Sequence, residues 1–182
     1  SGSFSKKNAS LKDAYSQLEK DRKTIEQYLI KKGVDKSEMV YSSIDINKRF
    51  KTSYNKETGE STSKFIAYEL TQNVTIESKN VNAVEDLSRK ITELITKGIE
   101  LNSYSPRYYY TKLADLKIEM IASATKDARN RAETIASNSK SKLGTLKKAT
   151  MGVFQITGRN SSDDYSWGGT YNTSSKLKTA TI

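Results

Sequence analysis

The spacing of apolar residues predicts two amphipathic helices in the first part of the chain. From 8 to 32, apolar side chains recur at three-, four- and seven-residue steps, which is typical of one helix face. Gly33 follows two lysines, a common way for a helix to end. A second stripe of this kind predicts a helix over 81–97, with Gly98 at its end.

A third apolar stripe predicts the longest helix, over 112–143, which Gly144 ends. The middle of this stripe consists of small residues, namely Ala124, Ala128 and Ala132. Small side chains allow another element to approach closely, so we expect this helix to lie flat on a sheet.

Alternation of apolar and polar residues predicts long strands at 39–50 and 63–78. The polar residues 51–62 between them include Asn-Lys-Glu-Thr-Gly at 55–59, which is typical of a hairpin connection. We therefore expect the two strands to pair antiparallel. The alternation places Phe65 on the face opposite to that of Ile66, Tyr68, Leu70, Val74 and Ile76.

The remaining segments complete the predicted fold. Residues 99–111 look extended, 145–157 read as a strand, 158–172 as a loop, and 173–182 as the start of a last strand. This order predicts an α+β fold in which three helices pack on one face of a mostly antiparallel sheet.

The chain of 182 residues contains no histidine and no cysteine. Most catalysis at neutral pH uses a histidine proton shuttle, a thiolate, or a metal that these side chains hold. We therefore expect that the protein is not an enzyme and has no catalytic residue, cofactor or metal site.

Other groups that could support chemistry have simpler structural interpretations. Asp163 and Asp164 lie in a Ser- and Gly-rich loop, where adjacent carboxylates point in different directions. Asp45 and Glu69 fall on the strands predicted to pair, and a carboxylate there more often faces a lysine on the sheet surface. Serine beside lysine is expected by chance in a chain rich in both.

Exposed aromatic residues could in principle bind bases or a partner. A run of tyrosines at 108–110 lies between Arg107 and Lys112, but on a strand Tyr109 would face away from its two neighbours. Packing in a core or an interface is therefore the favoured interpretation. Trp167, in a Gly-rich loop, is either an exposed anchor for a partner or packs under its own loop.

The formal net charge of +10 would attract nucleic acid, anionic lipid or acidic polysaccharide. Basic residues are spread along the whole chain, which favours a solvated surface, and nucleic acid is not the expected partner. No stretch reaches the roughly 18 apolar residues of a membrane span. The candidates for a polyanion site come from the densest basic stretch: Arg129, Arg131, Lys140, Lys142, Lys147 and Lys148.

The stretch from 108 to 156 resembles the SIMPL-domain family, the YggE-like bacterial envelope proteins. The family's Ala-rich helix is matched by Ala124, Asp127-Ala128 and Ala132, and its terminal Leu-Gly pair by Leu143-Gly144. Residues 151–156, Met-Gly-Val-Phe-Gln-Ile, resemble the strand that follows. The similarity extends over roughly residues 10 to 182 and includes no catalytic group.

The resemblance implies a non-enzymatic protein of the periplasm or cell envelope. Relatives include ring-like oligomers and proteins tied to oxidative-stress tolerance, which implies self-association or an envelope protein partner. A native membrane anchor is also implied, although this chain carries none. Family members usually begin with a long strand, which here is expected to be missing or reduced to Ser3-Phe4-Ser5. Residues 1–7 are interpreted as a tag remnant with this shortened strand, and 8–182 as one domain.

Two hypotheses follow. The first is an envelope structural or interaction protein that self-associates through open sheet edges. The second is a polyanion-binding module, for nucleic acid or acidic glycan, that uses the basic residues of the long helix.

Overall fold

The structure is a computed structural model that describes residues 1–54, 56 and 59–182. The chain divides into two compact units, unit 1 (Ser1–Pro106) and unit 2 (Arg107–Ile182). This division does not by itself exclude the single domain predicted over 8–182, which stays a prediction.

Unit 1 combines an antiparallel sheet with two helices. Short 3-10 turns lie at Lys36–Glu38 and Ile91–Lys97. The second of these turns takes up the last part of the helix predicted over 81–97, which is therefore α-helical only in its first part. The elements are β1 (Gly2–Asn8), α1 (Leu11–Lys31), β2 (Met39–Tyr41), β3 (Asp45–Tyr54), β4 (Ser61–Ile76), α2 (Val81–Lys90) and β5 (Leu101–Ser103).

The central strand of the sheet is β4. It pairs antiparallel with β1 along one edge and with β2 and β3, one after the other, along the opposite edge. The outer edge of β1 pairs with β5. The predicted antiparallel pairing is therefore confirmed, but the strand predicted at 39–50 is divided at 42–44 into β2 and β3. Both β3 and β4 also extend into the predicted connection 51–62, of which Asn55, Glu57 and Thr58 lie outside the described residues.

The helix ends follow from local residue chemistry. The side chain of Ser10 accepts a hydrogen bond from the backbone N–H of Asp13, which satisfies a free donor in the first turn of α1. Gly33 and Gly98 adopt positive φ angles of 90° and 73°, which glycine reaches without a steric penalty. Both predicted helix ends are confirmed.

The core of unit 1 lies between α1, α2 and one face of the sheet. The predicted apolar stripe of α1 is buried except at its first residue, Leu11, which is 40% exposed. Burial of each large side chain contributes about 1.5–3 kcal/mol. The core residues of α1 and the sheet are Ala14, Leu18, Ile25, Tyr28, Leu29, Phe4, Leu70 and Val74.

The first strand differs from the prediction. Instead of a remnant at Ser3-Phe4-Ser5, β1 is a seven-residue strand between β4 and β5, and the side chain of Phe4 is only 1% exposed. A single apolar residue in a polar stretch gives no alternating pattern, so only the partner strands could identify it. Residues 2–8 are part of the sheet.

Unit 2 contains α3 (Leu113–Asn138) and an antiparallel pair of short strands, β6 (Gln155–Gly158) and β7 (Lys178–Thr181). The ammonium group of Lys117 from α3 lies 5.6 Å from the ring centre of Phe154, just before β6. Every residue of β6 is buried.

Three predictions for unit 2 need correction. The long helix ends at Asn138 rather than at Gly144, and Lys140 just beyond it adopts a positive φ angle of 57°. Within unit 2, none of the side chains of α3 is buried, so its alanine stripe has no close packing there. Alanine offers little apolar area, so its burial adds little free energy. The strand predicted at 145–157 is limited to β6, because 139–154 forms no regular element and lacks a sustained alternation.

The fold class is confirmed. Three helices and antiparallel sheets make an α+β protein, and in unit 1 the helices pack on one face of the sheet.

Candidate interaction surface

The outer parts of β3 and β4 form a hairpin arm, defined here as residues 46–54 and 61–68. Every residue of β3 is exposed, and so are the first six residues of β4. The buried part of β4 begins only at Glu69 and Leu70. The arm therefore extends the sheet beyond the part that the helices of unit 1 cover.

A β-bulge in the arm determines which side chains share a face. Arg49 pairs with Ala67, but the next residue, Phe50, pairs with Phe65, so Ile66 has no partner in β3. The extra residue moves Phe65 to the face of Tyr68. The predicted placement of Phe65 on the opposite face is therefore wrong, because strict alternation takes no account of a bulge.

The arm carries an apolar surface, the aromatic face, formed by Ile46, Phe50, Phe65 and Tyr68. The ring centres of Phe50 and Phe65 are 5.9 Å apart, and those of Phe65 and Tyr68 are 4.9 Å apart, both in edge-to-face geometry. Such pairs stabilise the hairpin by about 0.5–1.5 kcal/mol each. Phe50 nevertheless stays 53% exposed and Phe65 37%.

The opposite face of the arm begins at a buried carboxylate. Glu69 accepts hydrogen bonds from Lys7 of β1, at 3.0 Å, and from Arg49 of β3, so it joins three strands. The bond from Lys7, followed by that from Arg49, holds the pKa of Glu69 below its ordinary value. The predicted pairing of this carboxylate with a lysine is confirmed, and Asp45 lies opposite Thr71 instead.

The six candidate cations for a polyanion site do not form one cluster on α3. Arg129 pairs with Glu133 at 2.9 Å and Arg131 with Asp127 at 2.8 Å. The two arginines are two residues apart, which places them about 200° apart around the helix. The four lysines, Lys140, Lys142, Lys147 and Lys148, are exposed in the segment after α3.

The other residues considered in the sequence remain scattered. Tyr109 and Tyr110 are exposed, so these two do not pack in a core, and the alternative of packing in an interface stays a prediction. Trp167 is 97% exposed, so it does not pack under its own loop, and a role as an anchor stays a prediction. Asp164 is exposed, whereas Asp163 accepts hydrogen bonds from its own loop.

Neither a metal site nor a membrane-spanning helix is found among the described residues. Among them, no group of three or more His, Cys, Asp or Glu residues could hold a metal ion. None of the described helices combines the length and apolar character needed to cross a membrane.

The fold and the arm define a class, that of an α+β protein with a one-sided antiparallel sheet and an exposed aromatic hairpin. The family model SIMPL, described as a protein of unknown function (DUF541), matches residues 1–176. The chain therefore belongs to the SIMPL family, as its resemblance implied. Comparison with curated proteins finds no match.

The Glu69 cluster makes stability depend on pH. We expect Glu69→Gln to lower the free energy of unfolding by about 1–2 kcal/mol at neutral pH, because a charged acceptor of two hydrogen bonds is lost. The folded-state pKa of Glu69 is lowered, so its contribution is present above the unfolded-state pKa and disappears as pH falls through the folded-state value. The difference between the two proteins should therefore shrink in acid.

Denaturant unfolding at neutral and acidic pH measures this difference. Glu77→Gln is the matched control, since Glu77 is an exposed carboxylate just beyond the end of the same strand. A Glu69→Gln effect that stays constant with pH would contradict the ion-pair explanation.

Proposed function

We propose that the protein is a non-enzymatic structural or interaction protein of the bacterial cell envelope that self-associates through the aromatic face of its hairpin arm. The observation that carries the proposal is the exposure of this face, although it continues the buried face of the same sheet. The lack of histidine and cysteine in the sequence supports a non-enzymatic role.

The aromatic face has the composition of an interface. Large apolar side chains that cluster on a surface mark contact sites more often than scattered ones do. Burial of the exposed half of a side chain such as Phe50 would contribute about 1 kcal/mol to the free energy of association. In a symmetric contact both copies bury this side chain, so the contribution doubles. A second copy supplies an identical face, which is complementary to the first in chemical character.

Face-to-face stacking fits the charges better than pairing of sheet edges. The edge strand β3 carries Lys48, Arg49 and Lys51, and cations on an edge strand oppose pairing with another copy. Stacked aromatic faces bring fewer of these charges together. Lys48 shares the aromatic face, opposite Tyr68, but Arg49 lies on the other face and bonds to Glu69. The route predicted from the sequence, through sheet edges, is thus refined to the arm's aromatic face.

Light scattering after size exclusion tests self-association. We expect a defined oligomer whose dissociation constant rises about thirtyfold in Phe50→Ser, since two copies each lose about 1 kcal/mol. Added salt should maintain or strengthen the association, because it screens repulsion between copies that each carry a charge of +10.

Tyr15→Ser is the matched control for this measurement. Tyr15 lies on α1 and is 52% exposed, almost the same as Phe50, but it is not part of the arm. A monomer at every concentration, or equal effects of the two substitutions, would overturn the proposal.

The proposed compartment rests on the family resemblance. Fractionation of cells that produce the native protein is expected to recover it with the periplasm or the envelope. Recovery in the cytosol would contradict this part of the proposal.

Polyanion binding is the second candidate, and one observation favours it. In unit 2, lysine and arginine outnumber aspartate and glutamate by about two to one. Among the residues that the structure describes, no ion pair occupies Lys140, Lys142, Lys147 or Lys148.

Heparin binding tests this candidate. Affinity should fall steeply as salt rises, and replacement of the four lysines by alanine should remove most of it. Affinity that is the same at low and moderate salt would exclude the polyanion function. The opposite responses of the two candidates to salt separate them.

A further inference from the structure

A cluster of three reactive groups lies beside the short β6–β7 pair in unit 2. Lys178 begins β7 and lies opposite Gly158 of β6 in the strand register. Asn172 and Asp163 come from the segment between the two strands. The side chains of all three residues meet around the amide group of Asn172.

Hydrogen bonds fix the orientation of the Asn172 amide. Its Nδ2 donates to Oδ2 of Asp163 at 2.8 Å, and its Oδ1 accepts from the backbone N–H of Ser175 at 2.8 Å. A backbone donor on the carbonyl oxygen withdraws electrons from the carbonyl carbon and would stabilise negative charge on that oxygen. The amide is therefore held as an electrophile with a carboxylate at its leaving group.

The amine of Lys178 lies beside this electrophile. Its Nζ hydrogen-bonds to the main-chain oxygen of Asn172 and is 3.5 Å from Oδ1 of the same residue. The side chain is partly buried, and this burial lowers the pKa of Lys178. A lysine with a lowered pKa has more of the neutral amine, which is the nucleophilic form.

Asp163 is placed to carry the proton. Its Oδ2 accepts the backbone N–H of Gly158 at 2.8 Å in addition to the Asn172 amide. The bond from Gly158, followed by that from Ser161, holds the pKa of Asp163 low, so the group is a carboxylate at neutral pH. It can therefore accept a proton beside the nitrogen that must leave.

We propose that Lys178 and Asn172 join through an intramolecular isopeptide bond, with Asp163 as the proton carrier. Nζ of Lys178 attacks Cγ of Asn172 and forms the new C–N bond, and Asp163 takes the proton that Nζ loses. The Cγ–Nδ2 bond then breaks as Asp163 gives that proton to Nδ2, and ammonia leaves. No oxidant, reductant or other reactant is consumed.

The bond would attach the start of β7 to the loop that precedes it. The fold holds the two reacting groups next to each other, so they need not meet by random collision. Such proximity accelerates a reaction within one molecule. This inference concerns unit 2 alone and does not depend on the proposed self-association.

Intact-mass spectrometry of the purified chain tests the bond. We expect the mass to be lower than that of the sequence by one ammonia. Lys178→Arg keeps the charge but removes the nucleophile, and Asp163→Ala keeps both reacting groups. Both variants should show the full mass of their sequences. Lys176→Arg is the control at a neighbouring lysine and should still lose ammonia.

Tryptic peptide mapping locates the bond and distinguishes it from another reaction. A succinimide at Asn172 would also release ammonia, but it would leave the two peptides separate. The isopeptide bond instead joins peptide 160–176 to 177–182 and blocks cleavage after Lys178. A wild-type chain with the full sequence mass, or ammonia loss without joined peptides, would overturn the proposal.

Discussion

The arrangement of unit 1 depends on one constraint: the strand β4 is longer than the helix α1 that covers it. Sixteen residues of β4 span about 53 Å, whereas the 21 residues of α1 span about 32 Å. One helix of this length leaves part of the strand uncovered. The inner part of β4, from Leu70 to Val74, packs on the core, and the outer part continues into the exposed arm.

Two features of the fold follow from this arrangement. The first is that β1 must lie against the inner part of β4, where Phe4 completes the core that α1 covers. The second is the Glu69 cluster, which ties β1, β3 and β4 together at the point where the arm leaves the covered sheet. The arm thus continues a firmly held sheet, so its aromatic face has a fixed position relative to the core of unit 1.

The sequence predicted the elements whose pattern is long and regular. The stripe of α1 and the alternation in β4 each extend over many residues, so local periodicity identified them. The strand β1 and the bulge at Ile66 were missed because each depends on a partner strand that is distant in sequence. The apolar pattern predicts the helix α3, but it cannot establish whether α3 is buried, because burial depends on residues that are distant in sequence.

The proposed interaction surface is harder to predict than the fold. Charge density indicated the six cations on and after α3, yet the aromatic face arises only when the hairpin pairs and the bulge moves Phe65. In the same way, Asp163, Asn172 and Lys178 are separated in sequence and meet only through turns and the β6–β7 register. Both arrangements arise from tertiary structure, so neither composition nor a local sequence pattern predicts them.

Pulsed electron spin resonance is the most direct test of the proposed contact between the arms of two copies. The chain has no cysteine, so Ser53→Cys provides a single site for a spin label on the exposed arm, away from the aromatic face. We predict one narrow distance between labels on two copies, with a signal that falls when unlabelled protein is added. The absence of any coupling between labels in the oligomer's concentration range would contradict association through the arm.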